Sequence, residues 1–127
     1  MLYAAHIVMK LILIEDIQED FPVWENIVLV DSGSPEEAVE AARNFGIDEE
    51  GTAENSMKWN GKRARWAFAG IRKLVSCVDL VNHANLDGKE TKVGHGTEIT
   101  YFQFTMKSLS DVDDFLTGKE VDLKLSE

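Results

Sequence analysis

Three ionisable residues stand where a charge is out of place. Glu25, Arg72 and Glu98 each lie inside, or at the start of, an apolar run with strand-like alternation, and a charge among apolar neighbours needs a partner. Two carboxylates brought close together could serve as general acid and base or hold a metal. With His6 and Arg65 added, the same residues could line a polar pocket for a small ligand. The simpler reading is structural: Glu25 opposite Arg65 or Arg72 forms an ion pair that fixes strand register, since such networks gather charge at sheets without catalysing anything.

The other reactive groups are weaker candidates. Cys77 with His95 or His6 has the composition of a thiol–imidazole pair, yet a single cysteine is usually a small apolar residue. Gly94-His95-Gly96-Thr97 could offer backbone N–H groups to an anion, but such nests normally lead into a helix and this one precedes a strand. Trp24, Trp59 and Trp66 could form a stacking platform. Trp66, between Ala64, Ala67 and Phe68, reads as core, whereas Trp59 reads as an exposed residue at a hairpin tip and a candidate for partner contact. The sequence has no phosphate loop, nucleophile elbow, zinc-protease helix or calcium loop. No residue is therefore assigned a catalytic or metal-binding role, and no cofactor is implied.

Charge narrows the choice of partners. The 127 residues carry a net −10, unevenly distributed. Residues 1–60 hold 13 acids against Lys10, Arg43 and Lys58; residues 61–78 hold Lys62, Arg63, Arg65, Arg72 and Lys73 and no acid. Residues 79–127 return to an excess of acid, 10 against 5 lysines. A phosphate backbone is repelled by most of this molecule, which disfavours nucleic acid, while a basic protein is attracted. The apolar stretch Leu2–Ile14 is broken by His6 and Lys10, is too short to span a bilayer and lacks a cleavage pattern. With only Cys77 available for a disulfide, nothing calls for an oxidising compartment. The expectation is a cytoplasmic protein without a membrane segment.

The elements that must position these residues follow from period and punctuation. Leu2–Ile14 alternates Tyr3, Ala5, Ile7, Met9 and Leu11 on one side with a more mixed set on the other, as expected for a central strand. After an acidic loop, Glu15–Pro22, Val23–Asp31 reads as a second, antiparallel strand. Ser34-Pro35-Glu36-Glu37 is a helix start with a capping box, and the helix is expected to run from Pro35 to about Phe45, stopped by Gly46. Asn60-Gly61 predicts a type I′ hairpin with Trp59 facing Lys62 and Met57 facing Ala64. Its second strand continues toward Val78 through a bulge or bend at Gly70. Leu80–Gly96 reads as a loop and Thr97–Met106 as a strand. A short helix capped by Ser108 or Ser110 then ends at Gly118, before an edge strand containing Val121, Leu123 and Leu125. The chain is thus expected to form a single α+β domain, residues 1–127. Its mostly antiparallel sheet has five to six strands with two helices on one face, a ferredoxin-like order with an extra N-terminal strand.

Several segments in this order resemble one family. Tyr3-Ala4-Ala5-His6, Val23-Trp24-Glu25-Asn26-Ile27, Ser34-Pro35-Glu36-Glu37-Ala38, Trp59-Asn60-Gly61, Trp66 to Leu74 and Gly96-Thr97-Glu98-Ile99-Thr100-Tyr101 are similar to the small bacterial proteins grouped as domain of unknown function 4288. The resemblance implies a bacterial stand-alone domain and brings no activity, cofactor or catalytic residue with it. The functional expectation is a non-enzymatic module that binds or regulates a basic protein partner through its acidic surface, in the manner of an immunity protein. The alternative is a small-molecule-binding protein or enzyme whose pocket is built from His6, Glu25, Arg65, Arg72 and Glu98. A homodimer through edge strands is a third possibility.

Overall fold

The computed structural model describes residues 1–51, 57–77, 94–119 and 124–126. Six strands and two helices follow one another as β1 (Leu2–Leu13), β2 (Phe21–Asp31), α1 (Pro35–Asp48), β3 (Met57–Trp59), β4 (Lys62–Ser76), β5 (Glu98–Met106), α2 (Leu109–Leu116) and β6 (Lys124–Ser126). They form one sheet in the order β3-β4-β1-β2-β5-β6, and every pairing is antiparallel. The α+β class and the antiparallel sheet are as the sequence leads one to expect. Expectations for Val78, for the loop from Leu80 to Val93, and for Val121 and Leu123 lie outside the described residues.

Strand β1 is the centre because both of its faces are apolar enough to be covered. Tyr3, Ala5, Ile7 and Met9 pack with Val30, Ala38 and Ala42 beneath α1. Val8 points the other way and packs with Val23, Met106, Val112 and Phe115 beneath α2. The two helices therefore lie on opposite faces, not on one. This also departs from the ferredoxin-like order: β1 is inserted between β4 and β2, and β2 and β5 pair antiparallel. The cause is parity. A helix after β2 and another after β5 each cover whichever face their strands leave apolar, and the alternation in β1 supplies one on each side.

Local signals set most element boundaries. The Ser34 hydroxyl accepts from Glu37 N–H at 3.2 Å, while the Glu37 carboxylate accepts from Gly33 N–H instead of closing the box on Ser34. The Ser108 hydroxyl caps α2 through Asp111 N–H at 3.0 Å. Asn60 and Gly61 have φ of 51° and 80°, as a type I′ turn demands, and Trp59 faces Lys62 as expected. Helix α1, however, runs through Gly46 to Asp48. Gly46 is buried, and a Cβ there would come within 2.3 Å of the Phe68 ring. The glycine admits the helix close to β4; it does not end it.

Two bulges in β4 break its register with β1, between His6 and Ile7 and between Val8 and Met9. They flank Gly70, whose φ of 153° suits a glycine and whose bare Cα faces the Leu116 side chain. The Glu50 carboxylate accepts from Phe68 N–H at 3.1 Å beside the second bulge. Between β1 and β2, the Gln18 side chain stands in for a missing strand. Its Oε1 accepts from Leu13 N–H at 3.0 Å and its Nε2 donates to Leu11 carbonyl at 2.7 Å. Replacing Gln18 with alanine removes both bonds and is expected to cost about 2 kcal/mol, read as a lower urea midpoint at unchanged slope.

Candidate functional site

The buried carboxylate of Glu25 organises the α2 face. Glu25 is 3% exposed and lies directly opposite Val8, so the mixed face of β1 brings His6 beside it. His6 Nδ1 lies 3.3 Å from Glu25 Oε2. From the other side Arg72 Nη1 donates to Glu25 Oε2 at 3.0 Å. The bulge at Arg72, between Ile71 opposite Ile7 and Lys73 opposite His6, allows this reach. The Arg72 Nε donates to Phe115 carbonyl at 3.2 Å, and the guanidinium lies 4.1 Å from the centre of the Phe115 ring. Helix α2 has no basic residue in its last turn, so Arg72 supplies the cation that its C-terminal end favours.

These contacts bind β1, β2, β4 and α2 to one another. Chemically the cluster is a strut: Arg72 Nε and Nη1 and the carboxylate of Glu25 are directed at the protein itself.

A different arrangement occupies the α1 face. Helix α1 covers β1 and β4 and leaves a trough over β2 and β5, a cleft of about 400 Å³, within the usual size range of ligand sites. Its floor is apolar, formed by Ile7, Met9 and Val28; Trp24, Tyr101 and Phe45 supply aromatic walls; Asn26, Glu49 and Glu98 supply polar groups. One side of Trp24 is closed by Trp66, stacked at 4.9 Å and 8°. Tyr101 meets Trp24 edge-on at 5.9 Å. The indole N–H of Trp24 is buried and has no acceptor among the described residues, an uncommon condition for a buried donor.

The six residues singled out from sequence are thus divided. His6, Glu25 and Arg72 meet on the α2 face. Glu98 lies in the cleft on the opposite face, so the expected pocket of His6, Glu25, Arg65, Arg72 and Glu98 does not assemble. Strand alternation alone puts Glu98 on the face of Phe102, which is opposite Glu25. A register shift between Ile27 and Val28 places Glu98 opposite Val28 instead, and one residue of slip exchanges the faces. Arg65 is half-buried opposite Ile12. Trp59 is 39% exposed at the hairpin, away from the stacked Trp24 and Trp66.

Nor do the thiol and glycine candidates form sites. Cys77 Sγ lies near Val75 carbonyl, at 3.8 Å, while His95 Nδ1 accepts from Asp31 N–H at 3.0 Å. In Gly94-His95-Gly96-Thr97 the N–H groups of Gly94, Gly96 and Thr97 bond to Thr97 Oγ1, Leu29 carbonyl and Gly94 carbonyl. They form a tight turn and are not directed at an anion. Among the described residues, no group of three or more His, Cys, Asp or Glu is placed to hold a metal ion, and no helix is long and apolar enough to cross a membrane.

Of the cleft residues the sequence singled out Glu98 and Trp24; Asn26, Phe45, Glu49 and Tyr101 carry no local signal that marks them. Tyr101 and Asn26 become neighbours only through the β2–β5 register. Glu49 and Phe45 join them only because α1 crosses the sheet.

The fold and the cleft define a class: a two-faced antiparallel sheet domain, braced by a buried ion cluster on one side and carrying an open cleft on the other. The chain belongs to the family described as Domain of unknown function (DUF4288), whose model matches residues 2–100. No curated protein and no solved structure matches it. The matched segment contains β1 to β4, α1 and the start of β5, and so all of the cleft except Tyr101.

Proposed function

We propose that this protein is a non-enzymatic binding module that engages a basic protein partner through the acidic α1 side of the molecule, as an immunity protein engages its toxin. The observation that carries the reading is the unbalanced charge beside the cleft. Glu36, Glu37, Glu40, Asp48, Glu49 and Glu50 are exposed on α1 and directly after it, with Arg43 as the one basic residue there. Glu98 extends the acid across the cleft onto β5.

Exposed like charges of this kind gain little from folding. They steer and orient an oppositely charged surface, mainly by raising the association rate. The structural role of the His6–Glu25–Arg72 cluster leaves those residues out of the proposed surface.

Affinity capture with the tagged protein from a bacterial lysate, at low and moderate salt, tests the proposal. A basic protein should be retained by the wild type and lost when Glu36, Glu40, Glu49 and Glu98 are all changed to glutamine. Retention of the same protein by the neutralised variant, or no specific partner at either salt, would overturn it.

A further inference from the structure

The cleft has a composition that selects more narrowly than an acidic surface does. Glu49 and Glu98 are both exposed, and neither has an ion-pair partner among the described residues. Among the described residues, the lining includes no lysine or arginine. Two uncompensated carboxylates therefore share a concave site with three aromatic rings and an apolar floor. An anion is excluded there by charge. A bare divalent ion finds too few oxygens, because magnesium and calcium take six or more and the floor is Ile7, Met9 and Val28. A neutral apolar ligand would leave the carboxylates without a counter-charge.

An organic cation satisfies all three parts of the site. Its alkyl stem lies on the floor, its charge faces the carboxylates, and its cationic head is attracted to the aromatic walls. Among side chains, the guanidinium fits better than the ammonium. It is planar, stacks on rings, pairs with carboxylates through two parallel donors and is more weakly hydrated.

We propose that the α1–β5 cleft is an arginine-recognition pocket, in which Glu49 and Glu98 pair with the guanidinium of a partner's arginine and Tyr101 and Trp24 flank it. This rests on the reading of the protein as a module for a basic partner, and it locates the anchoring contact.

The probes are Nα-acetyl-arginine methylamide, its lysine counterpart, and the citrulline counterpart, which keeps the shape of arginine without the charge. Each is titrated into the full-length protein by ¹H–¹⁵N NMR, following the Trp24 indole and the backbone amides of Asn26, Glu49 and Tyr101. The arginine probe should shift these signals saturably. The citrulline probe should bind about tenfold more weakly or worse, as expected for loss of a charge pair. Glu98→Gln and Tyr101→Ala should each weaken arginine binding about fivefold while the remaining amide spectrum keeps its dispersion. Equal binding of citrulline, no saturable shift with the arginine probe, or shifts produced by protein concentration alone would overturn the proposal, the last because it makes a second copy the occupant.

The two proposals can fail separately. Arginine binding in the cleft without any basic protein partner removes the function and keeps the pocket. A captured partner whose binding is indifferent to Glu98→Gln and Tyr101→Ala removes the pocket and keeps the function.

Discussion

Changing Arg72 to leucine is expected to destabilise the protein by about 3–5 kcal/mol, the range for removing one partner of a buried ion pair. The substitution strips Glu25, which is 3% exposed, of its main cation and leaves Phe115 carbonyl without the Nε donor. Glu25→Leu should cost less, about 3 kcal/mol, because the Arg72 side chain is 32% exposed and can turn toward water. The double substitution removes both charges, and an apolar pair in such a place is often nearly neutral. Urea unfolding of the four proteins should therefore show a double-mutant coupling of at least about 2 kcal/mol. Additive losses would sink the view of Glu25–Arg72 as one unit. Arg72→Lys separates charge from shape: it keeps the cation but loses the planar contact with Phe115, and about 1–2 kcal/mol should be lost.

Gly46 gives the second large effect, and its sign is informative. In an exposed helix, glycine to alanine stabilises by about 1 kcal/mol. Here the added methyl would fall 2.3 Å from Phe68 Cδ1 and 2.6 Å from Cε1, against a ring packed on the core beneath α1. Overpacking of this kind costs about 1–3 kcal/mol, which offsets or exceeds the gain in propensity. Gly46→Ala should thus lower stability, and Gly46→Leu should lower it by more than about 3 kcal/mol because no rotamer avoids the ring. Thermal or urea midpoints decide it. A stabilised Gly46→Ala protein would mean that α1 stands farther from β4 than the structure places it.

Gly46 also shows where sequence reasoning goes astray. After Phe45, a glycine at the end of an amphipathic run reads as a helix stop, and by local chemistry that is the better inference. The helix continues because the residue is needed for a close approach of helix to sheet, which is a property of two segments 22 positions apart at Gly46 and Phe68. Glu98 is the corresponding case for function. Its place in an apolar strand marks it as unusual, but its face depends on a register shift in the β2–β5 pairing. No count along β5 alone reveals that shift.

Apart from Gly46 and the unclosed capping box at Glu37, short-range chemistry was readable. The Ser34 cap, a serine cap at Ser108 or Ser110, the Asn60-Gly61 turn with Trp59 opposite Lys62, the irregularity at Gly70 and the central position of β1 all follow from residues within a few positions of one another. Alternation gives each strand two faces, and capping and turn geometry depend on nearby backbone groups, so the sequence by itself determined the elements, the α+β class and the need of Glu25 for a cation. Only the tertiary structure decided that Arg72, not Arg65, is that cation, that the helices take opposite faces, and that Glu98 joins Trp24, Tyr101 and Glu49 in a cleft. Those outcomes depend on bulges and pairing registers, where a single residue of slip sends a side chain to the other side of the sheet.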